Sequence, residues 1–210
     1  MMSGSARLGD RVALVTGAGS RIGAGVVHRF VGEGARVVAV ERDGERLERV
    51  VEPLGDRAVA VRGDVTDPGD CRRAVEVAVD RFGRLDVVVS NAGVHDQYVA
   101  LTDLTTDQLD RAYEEVFAVN VKGALLMVHA AIHELIRNRG SIVFTGSISK
   151  EPDQVARRLP TGVAPEPADV CGIYAMLASD SDGSAVTGSV ITVDAGQLLW
   201  GPVNHHPTGP

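Results

Sequence analysis

One segment combines several glycines at the point where an apolar run ends and a helical pattern begins. It reads Thr16-Gly17-Ala18-Gly19-Ser20-Arg21-Ile22-Gly23. Glycines at such a turn let the backbone bend tightly and approach a pyrophosphate, whose charge then lies at the helix N-terminus. Position 22 is Ile, so a strict Gly-x-Gly-x-x-Gly is not met. Taken alone, the segment fits either a phosphate-binding loop or an ordinary strand-to-helix turn.

The next three apolar runs also end in residue types that bind nucleotides. Glu41 ends the second run, and a carboxylate there can accept both ribose hydroxyls of NAD and would repel the 2′-phosphate of NADP. Asp64-Val65 ends the third run, where a carboxylate can meet the adenine edge. Asn91-Ala92-Gly93 ends the fourth, where Gly93 permits close backbone approach. Open α/β sheets bind ligands at the carboxyl ends of their strands, so these residues together predict an NAD site.

The elements that position these residues follow from an alternation of short and long patterns. Short β-branched runs predict strands at Val12–Val15, Val37–Val40, Val59–Val61, Leu85–Val89 and Ile142–Phe144. Helical spacing occupies the stretches 21–33, 43–53, 67–82 and 106–138. Such alternation predicts βαβ units in an α/β fold, a Rossmann-type doubly wound parallel sheet with three α/β/α layers. At 210 residues, we expect 1–210 to form one domain.

Composition excludes several classes of function. A net charge of −7 disfavours nucleic-acid binding, and no apolar run approaches the length of a membrane span. The N-terminus lacks the apolar stretch of a signal peptide, and Cys71 and Cys171 form no CxxC pair, so we expect a cytoplasmic protein without a disulfide. His129 and His133 have the i,i+4 spacing of a zinc pair, but no third ligand accompanies them, so no metal is predicted.

Over residues 8–200 the chain resembles the short-chain dehydrogenase/reductase family. The motifs are TGAGSRIG, GDV, NAG, VNVKG and VTGSVITVDAG. The resemblance implies a phosphate loop lined by Gly17, Gly19, Ile22 and Gly23, and an adenosine side held by Glu41, Asp64, Val65 and Asn91. Arg21 departs from the glycine of most members, although pteridine reductases also have arginine there. It could favour a phosphate, but the Glu41 carboxylate outweighs it and favours NAD.

A narrower resemblance covers the segment from Asn91 to Gly123. This segment is similar to the cis-dihydrodiol dehydrogenases, which oxidise arene cis-diols to catechols with NAD. About one helical turn more than in ordinary members lies between Asp110 and Asn120. The resemblance implies a small-molecule substrate. We also consider a homo-oligomer formed through the helical region 106–138.

The family's catalytic set is only partly matched. Asn120 in VNVKG matches the asparagine of the family, and Ser147 matches its serine. The family also uses a tyrosine for proton exchange and a lysine four residues later that lowers the tyrosine pKa. No Tyr-x-x-x-Lys exists in the sequence, because Tyr98, Tyr113 and Tyr174 are followed at that spacing by Thr102, Phe117 and Ala178. Lys150, Tyr174 and His95 could substitute for them, but a loop role for Lys150 and His95 and a core role for Tyr174 are the simpler interpretations.

This gap indicates an internal deletion of the Tyr-x-x-x-Lys helix and the family's sixth strand. Residues 151–165 are predicted to be a loop, followed by a helix at 167–179, a strand at Ser189–Val193 and a tail at 202–210. We expect the last strand to lie parallel beside residues 141–145, because an open apolar edge invites aggregation. The predicted truncated sheet has the order 3-2-1-4-5-7.

Three functional hypotheses follow. The chain is an NAD-dependent oxidoreductase acting on cis-dihydrodiols or other secondary alcohols, an NAD-binding protein without turnover, or a deletion product without independent function. The ligand-type residues at all four strand ends favour the first two hypotheses. With respect to catalysis, the missing tyrosine and lysine favour the second hypothesis over the first. The lost segment would have formed much of the substrate pocket.

Overall fold

Five parallel strands form the only sheet in the part of the chain that the computed structural model describes, residues 6–95, 99–147, 159–160 and 163–196. They are β1 (Val12–Thr16), β2 (Arg36–Glu41), β3 (Ala58–Arg62), β4 (Val87–Ser90) and β5 (Ser141–Phe144). Their order is β3-β2-β1-β4-β5, and Leu14 of β1 is in register with Val38 and Val88. Every residue of β1 is buried, as expected for a central strand covered on both faces.

Helices cover both faces of this sheet. They are α1 (Arg21–Gly32), α2 (Gly44–Val51), α3 (Pro68–Phe82), α4 (Thr106–Phe117), α5 (Ala124–Asn138) and α6 (Pro167–Ala178). One core joins a face of the sheet to α1, α2 and α6, and includes Phe30, Leu47 and Ala175. The other joins the opposite face to α3 and α5 through Cys71 and Met127. The predicted Rossmann-type, three-layer α/β fold is confirmed.

Helix starts follow from local capping chemistry. Asp67 accepts the backbone N–H groups of Gly69 and Asp70 at the start of α3, where Pro68 occupies the first turn. At α4, Thr105 and Gln108 form a reciprocal capping box. Only residues 63–67 separate β3 from α3, so the loop that carries Asp64 and Val65 is short.

The predicted helix 106–138 is continuous but not uniform. A π-helical segment, Ala118–Gly123, joins α4 to α5 and contains Asn120. The run Thr106–Asn138 is long and apolar enough to cross a membrane by length and composition. One such helix is weak evidence for a membrane span: Met127, Ala131 and Leu135 are buried against the sheet, and 17% of the apolar window is buried in all.

The predicted sixth strand is wrong. Residues 189–193 form no strand, Val190 is 95% exposed, and within the described chain β5 pairs with β4 alone. The order 3-2-1-4-5-7 is therefore corrected to five strands. The chain leaving α6 is held by ion pairs of Asp180 with Arg11 and Asp182 with Arg7. Arg11 directly precedes β1, two strands away from β5, so this anchor holds the segment far from the edge it was predicted to cover.

Helix α6 forms where predicted but packs mainly on α1. A Cβ at Gly25 of α1 would lie 2.8 Å from the Cys171 sulfur, so glycine lets the two helices approach closely. Tyr174 and Leu177 are partly buried against the same core. Helix α6 also contacts β5. The described residues between 159 and 166 contain neither helix nor strand, in agreement with a loop there, while 151–158 and 202–210 lie outside the described residues.

Candidate functional site

The glycine segment folds back on itself at the carboxyl end of β1. Gly17 has φ +64°, and a Cβ there would lie 2.9 Å from the Cα of Ala92. A Cβ at Gly23 would overlap the carbonyl oxygen of Gly17. Both positions therefore require glycine, the first for conformation and space and the second for space. In the described structure Ser20 does not cap α1 through its side chain, and the first turn of α1 carries no acidic residue. This leaves a helix N-terminus suited to a phosphate group.

Arg21 begins α1 with φ +47°. Non-glycine residues rarely adopt this left-handed conformation, which explains why a glycine suits the position. Ile22 packs against the core beneath, so its apolar side chain supports the turn from the inside. The Arg21 side chain is exposed on the loop's outer surface.

Glu41 is brought to the same loop from the end of β2. Its carboxylate accepts the backbone N–H of Gly19 at 3.3 Å and that of Arg42 at 2.8 Å. Its side chain lies so close to Gly19 that a Cβ there would be 2.7 Å from its Cγ. The neighbouring end of β3 is linked to it, since Gly63 donates its N–H to the Glu41 carbonyl at 3.0 Å. The structure thus places a half-buried carboxylate beside the phosphate loop.

Asp64 and Val65 form the turn after β3. Asp64 accepts the backbone N–H and the hydroxyl of Thr66, and its own N–H is donated to the Asp70 carboxylate at 2.8 Å. That backbone hydrogen bond lowers the pKa of Asp70, and Arg73 adds to the effect. Val65 is buried, and a Cβ at Gly123 would lie 2.7 Å from its Cγ2. The turn is therefore rigidly held against the π-helical segment.

Asn91 and Ala92 connect the end of β4 to the phosphate loop through Thr16. The hydroxyl oxygen of Thr16 accepts the backbone N–H of Asn91 at 3.0 Å and that of Ala92 at 3.1 Å. The Asn91 amide donates to the carbonyls of Thr16 and Gly17 at 3.2 and 3.3 Å. Sequence reasoning missed Thr16. The sequence feature that could have identified Thr16 is a polar residue at the end of an otherwise apolar strand. In the structure this residue is fully buried.

Asn120 fixes the segment that follows Gly93. Its side-chain amide donates to the carbonyl of Val94 at 2.8 Å, and its side-chain oxygen accepts the Val94 N–H at 2.8 Å. A Cβ at Gly93 would lie 3.4 Å from that oxygen. The π-helical turn carries Asn120, which contacts the segment after β4. Turns of this kind occur frequently at functional sites.

The remaining candidate residues of the sequence analysis are exposed, partly buried or outside the described residues. Ser147 lies just beyond β5 and is exposed, as is His95. Tyr98 and Lys150 lie outside the described residues. Tyr174 was interpreted as a core residue, and it is partly buried, yet its hydroxyl lies 2.9 Å from the hydroxyl of Thr145. Neither Thr145 nor this contact was predicted.

Metal and thiol chemistry find little support in the described part of the chain. His129 and His133 are exposed on α5, and no group of three or more metal-ligating side chains occurs among the residues described. Burial raises the pKa of the Cys71 thiol to about 11 and also raises that of Cys171. Both cysteines are free, as predicted, and both are poor nucleophiles at neutral pH.

Comparison with known proteins decides the family. The family model described as short chain dehydrogenase matches residues 11–156, which contain all five strands. The chain belongs to the short chain dehydrogenase family. This family is one of oxidoreductases, and the predicted resemblance is confirmed.

Two relatives and one solved structure illustrate the similarity. The chain is 45% identical over 141 residues to cis-2,3-dihydrobiphenyl-2,3-diol dehydrogenase of Rhodococcus globerulus, which covers 67% of this chain and 50% of that protein. It is 28% identical over 255 positions to 3-phenylpropionate-dihydrodiol/cinnamic acid-dihydrodiol dehydrogenase of Photorhabdus laumondii, covering 91% of each. The crystal structure of 3-ketoacyl-(acyl-carrier-protein) reductase from Brucella melitensis complexed with NADH has a TM-score of 0.80 and 27% identity, covering 90% of this chain and 99% of that one.

The strongest matches to the dihydrodiol dehydrogenases cover about two thirds of the chain. In its strongest matches the chain spans about half the length of these relatives. The family model's match to residues 11–156 includes the ends of β1 to β4. A nicotinamide cofactor is supported by the family and by the NADH-bound structural neighbour.

Proposed function

We propose that this protein binds NAD(H) at the carboxyl edge of its sheet and has lost most or all hydride-transfer activity. The observation that carries the proposal is the Glu41 carboxylate held against Gly19 at 3.3 Å. A carboxylate beside the phosphate loop can accept ribose hydroxyls and repels a 2′-phosphate, which favours NAD over NADP. Bound NAD accepts a hydride during dehydrogenation.

The residues around this carboxylate fit the rest of the dinucleotide. Gly17 and Gly23 allow a pyrophosphate to approach the N-terminus of α1. Asp64 and Val65 lie next along the edge and would contact the adenine, while Asn91, Ala92 and Gly93 continue it towards the substrate side. Ser20, Arg21 and Ile22 complete the loop. The proposed site thus spans the ends of β1, β2, β3 and β4.

The loss of turnover rests on the missing proton-transfer pair. Asn120 and Ser147 would remain from the catalytic set, with no Tyr-x-x-x-Lys anywhere in the sequence. An internal deletion explains this gap. The alignment to the Photorhabdus relative supports it, because its 255 positions exceed the 210 residues of this chain. Within the described residues β5 has no second neighbouring strand, which has the same explanation, since a removed strand would have covered that edge.

The first candidate substrate class is arene cis-dihydrodiols, which the names of the relatives support. A chain that retained dehydrogenase activity on these small molecules is the alternative to binding without turnover. The β5 edge that is unpaired in the described part of the chain favours a third possibility, a deletion product without independent function. We place the protein in the cytoplasm, with neither nucleic acid nor membrane as a partner.

One titration series separates these outcomes. Purified protein is titrated with NADH while nicotinamide fluorescence is recorded, and is then assayed for NADH production from a cis-dihydrodiol. Saturable NADH binding without turnover supports the proposal, and binding with rapid turnover supports the dehydrogenase. Non-cooperative thermal unfolding without NADH binding supports the deletion product.

We further propose that two copies associate through an apolar stripe on the helical run 106–138. The stripe consists of Leu109, Tyr113, Phe117, Val121 and Leu125, all exposed and four residues apart in sequence. Tyr113 and Phe117 stack with ring centroids 4.3 Å apart. A two-fold axis would let two identical stripes cover each other. Phe117→Arg should convert a dimer to a monomer in sedimentation experiments, whereas Arg111→Glu on the same helix should not.

A further inference from the structure

A chain of hydrogen bonds runs from α6 to the phosphate loop and crosses the ends of three strands. Tyr174 on α6 and Thr145 after β5 have hydroxyl oxygens 2.9 Å apart. The Thr145 hydroxyl lies 3.1 Å from the side-chain oxygen of Asn91, after β4. The Asn91 amide in turn reaches the carbonyls of Thr16 and Gly17 in the phosphate loop.

The direction of every bond in this chain is fixed by counting hydrogens. The side-chain oxygen of Asn91 can only accept, so Thr145 uses its single hydroxyl hydrogen to donate to it. Thr145 therefore accepts from Tyr174, which must donate. At the other end, the Asn91 NH₂ group faces two carbonyl oxygens and donates to both. The chain runs one way, from the Tyr174 hydroxyl to the phosphate loop.

We propose that Tyr174 is a positioning residue that holds the phosphate loop in its binding conformation through Thr145 and Asn91. The inference rests on the proposed dinucleotide site, for which it names a further residue. The positioning is steric as well as polar. The Asn91 amide nitrogen would lie only 3.1 Å from a Cβ at Gly17 and 2.8 Å from a Cβ at Gly23. Any rotation of that amide would change the space on which the loop conformation depends.

The same geometry argues against Tyr174 as a replacement for the missing catalytic tyrosine. Its hydroxyl hydrogen is committed to Thr145. Burial raises the pKa of Tyr174, which keeps the hydroxyl protonated and able to donate. A catalytic tyrosine needs the opposite shift, towards working pH. Tyr174 is therefore suited to holding a loop rather than to exchanging a proton with a substrate.

The test uses Tyr174→Phe, which removes one hydroxyl and keeps the ring, and Thr187→Val as a control that removes an exposed hydroxyl outside this chain of hydrogen bonds. Amide hydrogen exchange is measured on the nucleotide-free protein. We expect exchange at Ala18, Gly19, Asn91 and Ala92 to rise about 3- to 10-fold in Tyr174→Phe, the effect of losing one hydrogen bond. Amides of β2 and β3 should not change. Equal exchange in wild type and Tyr174→Phe, or an equal rise throughout the sheet, would overturn the inference.

Thr145 provides the coupling test. Thr145→Val should raise the same exchange rates, whereas Thr145→Ser, which keeps the hydroxyl, should leave them at the wild-type level. In the double variant, Tyr174→Phe should cause no further rise beyond that of Thr145→Val alone. Additive effects would contradict a single chain of bonds. NADH and adenosine titrations then address function, because Tyr174→Phe should weaken NADH about 3- to 10-fold while leaving adenosine unchanged. If wild type fails to bind NADH while the exchange pattern holds, the dinucleotide proposal fails and the positioning role stands.

Discussion

The carboxylate of Glu41 accepts the backbone N–H of Gly19 at 3.3 Å, which joins the end of β2 to the phosphate loop. Two elements that are far apart in sequence thus share one contact at the edge where a ribose would lie. Because a carboxylate at this place accepts hydroxyls and repels a phosphate, it provides a direct test of cofactor preference.

Glu41→Ala should weaken NADH binding by about 10-fold and narrow the preference for NADH over NADPH, because it removes charged hydrogen-bond acceptors. Glu48→Ala on the exposed side of α2 is the control and should leave both affinities unchanged. Fluorescence titrations with both dinucleotides measure the result. Tighter binding of NADPH than NADH by the unmutated protein would reverse the prediction and assign Arg21 to a phosphate.

Dehydrogenase activity on cis-dihydrodiols and simple secondary alcohols should be absent or very low. Loss of a proton-transfer group reduces rates by about 10² to 10⁴-fold, and loss of the lysine contact adds to this. Stopped and continuous assays of NADH formation at 340 nm measure the rate. Rapid NADH formation that Ser147→Ala abolishes would refute the prediction, and His95→Ala would then be the first test for a substitute base.

The sequence predicted best those features that local chemistry determines. Short β-branched runs marked β1 to β5, and the glycine spacing marked the loop whose close contacts at Gly17 and Gly23 the structure confirms. The π-helical turn around Asn120 was not predicted, because one wider turn within a long helical stretch has no residue-type pattern of its own. The contact between Thr145 and Tyr174 joins residues 29 apart and depends on how α6 lies across α1.

The failed sixth strand has a similar cause. Residues 189–193 have strand composition, but a strand needs a neighbour with free hydrogen-bonding groups within reach. Ion pairs at Arg7 and Arg11 hold the preceding segment near the start of β1. Composition alone carries no information about such an anchor, since it depends on where the previous helix ends.

Arg21→Gly should stabilise the protein. Arg21 has φ +47°, a conformation that costs a non-glycine residue about 1 kcal/mol or more. Part of that gain is offset by the greater chain entropy of glycine, so we expect up to about 1 kcal/mol and a rise in Tm of about 2 to 4 °C. Arg111→Gly within α4 is the control and should instead lose about 1 kcal/mol. A fall in Tm for Arg21→Gly would contradict this assignment of strain.

Cys71 should react slowly with thiol reagents in the folded protein. Burial raises its pKa to about 11, so at pH 8 the thiolate fraction is on the order of 100-fold below that of an ordinary cysteine. Reaction with Ellman's reagent should accelerate as pH rises towards 11 and become fast in denaturant. The variant Cys171→Ser assigns the signal to Cys71. Fast stoichiometric labelling of that variant at pH 8 under native conditions would contradict the burial of Cys71.

Asp86 should contribute more to stability than an exposed aspartate with a similar partner. Its carboxylate is 1% exposed, accepts the backbone N–H of Val12 at 2.9 Å and binds Arg84 through two nitrogens, the closer at 2.6 Å. Asp86→Ala leaves the Val12 N–H buried without its acceptor and should lower the free energy of unfolding by about 2 to 4 kcal/mol.

Asp56 offers the matched control for this prediction. It pairs with Arg81 at 3.4 Å, but its side chain is fully exposed, so Asp56→Ala should lower the free energy of unfolding far less than Asp86→Ala. Asp86→Asn keeps a neutral acceptor for the Val12 N–H. Its loss in the free energy of unfolding should therefore lie between those of the two alanine variants. Urea unfolding of all three variants gives the comparison. Equal losses for Asp86→Ala and Asp56→Ala would show that the bond between Asp86 and the start of β1 adds nothing to the stability of the sheet.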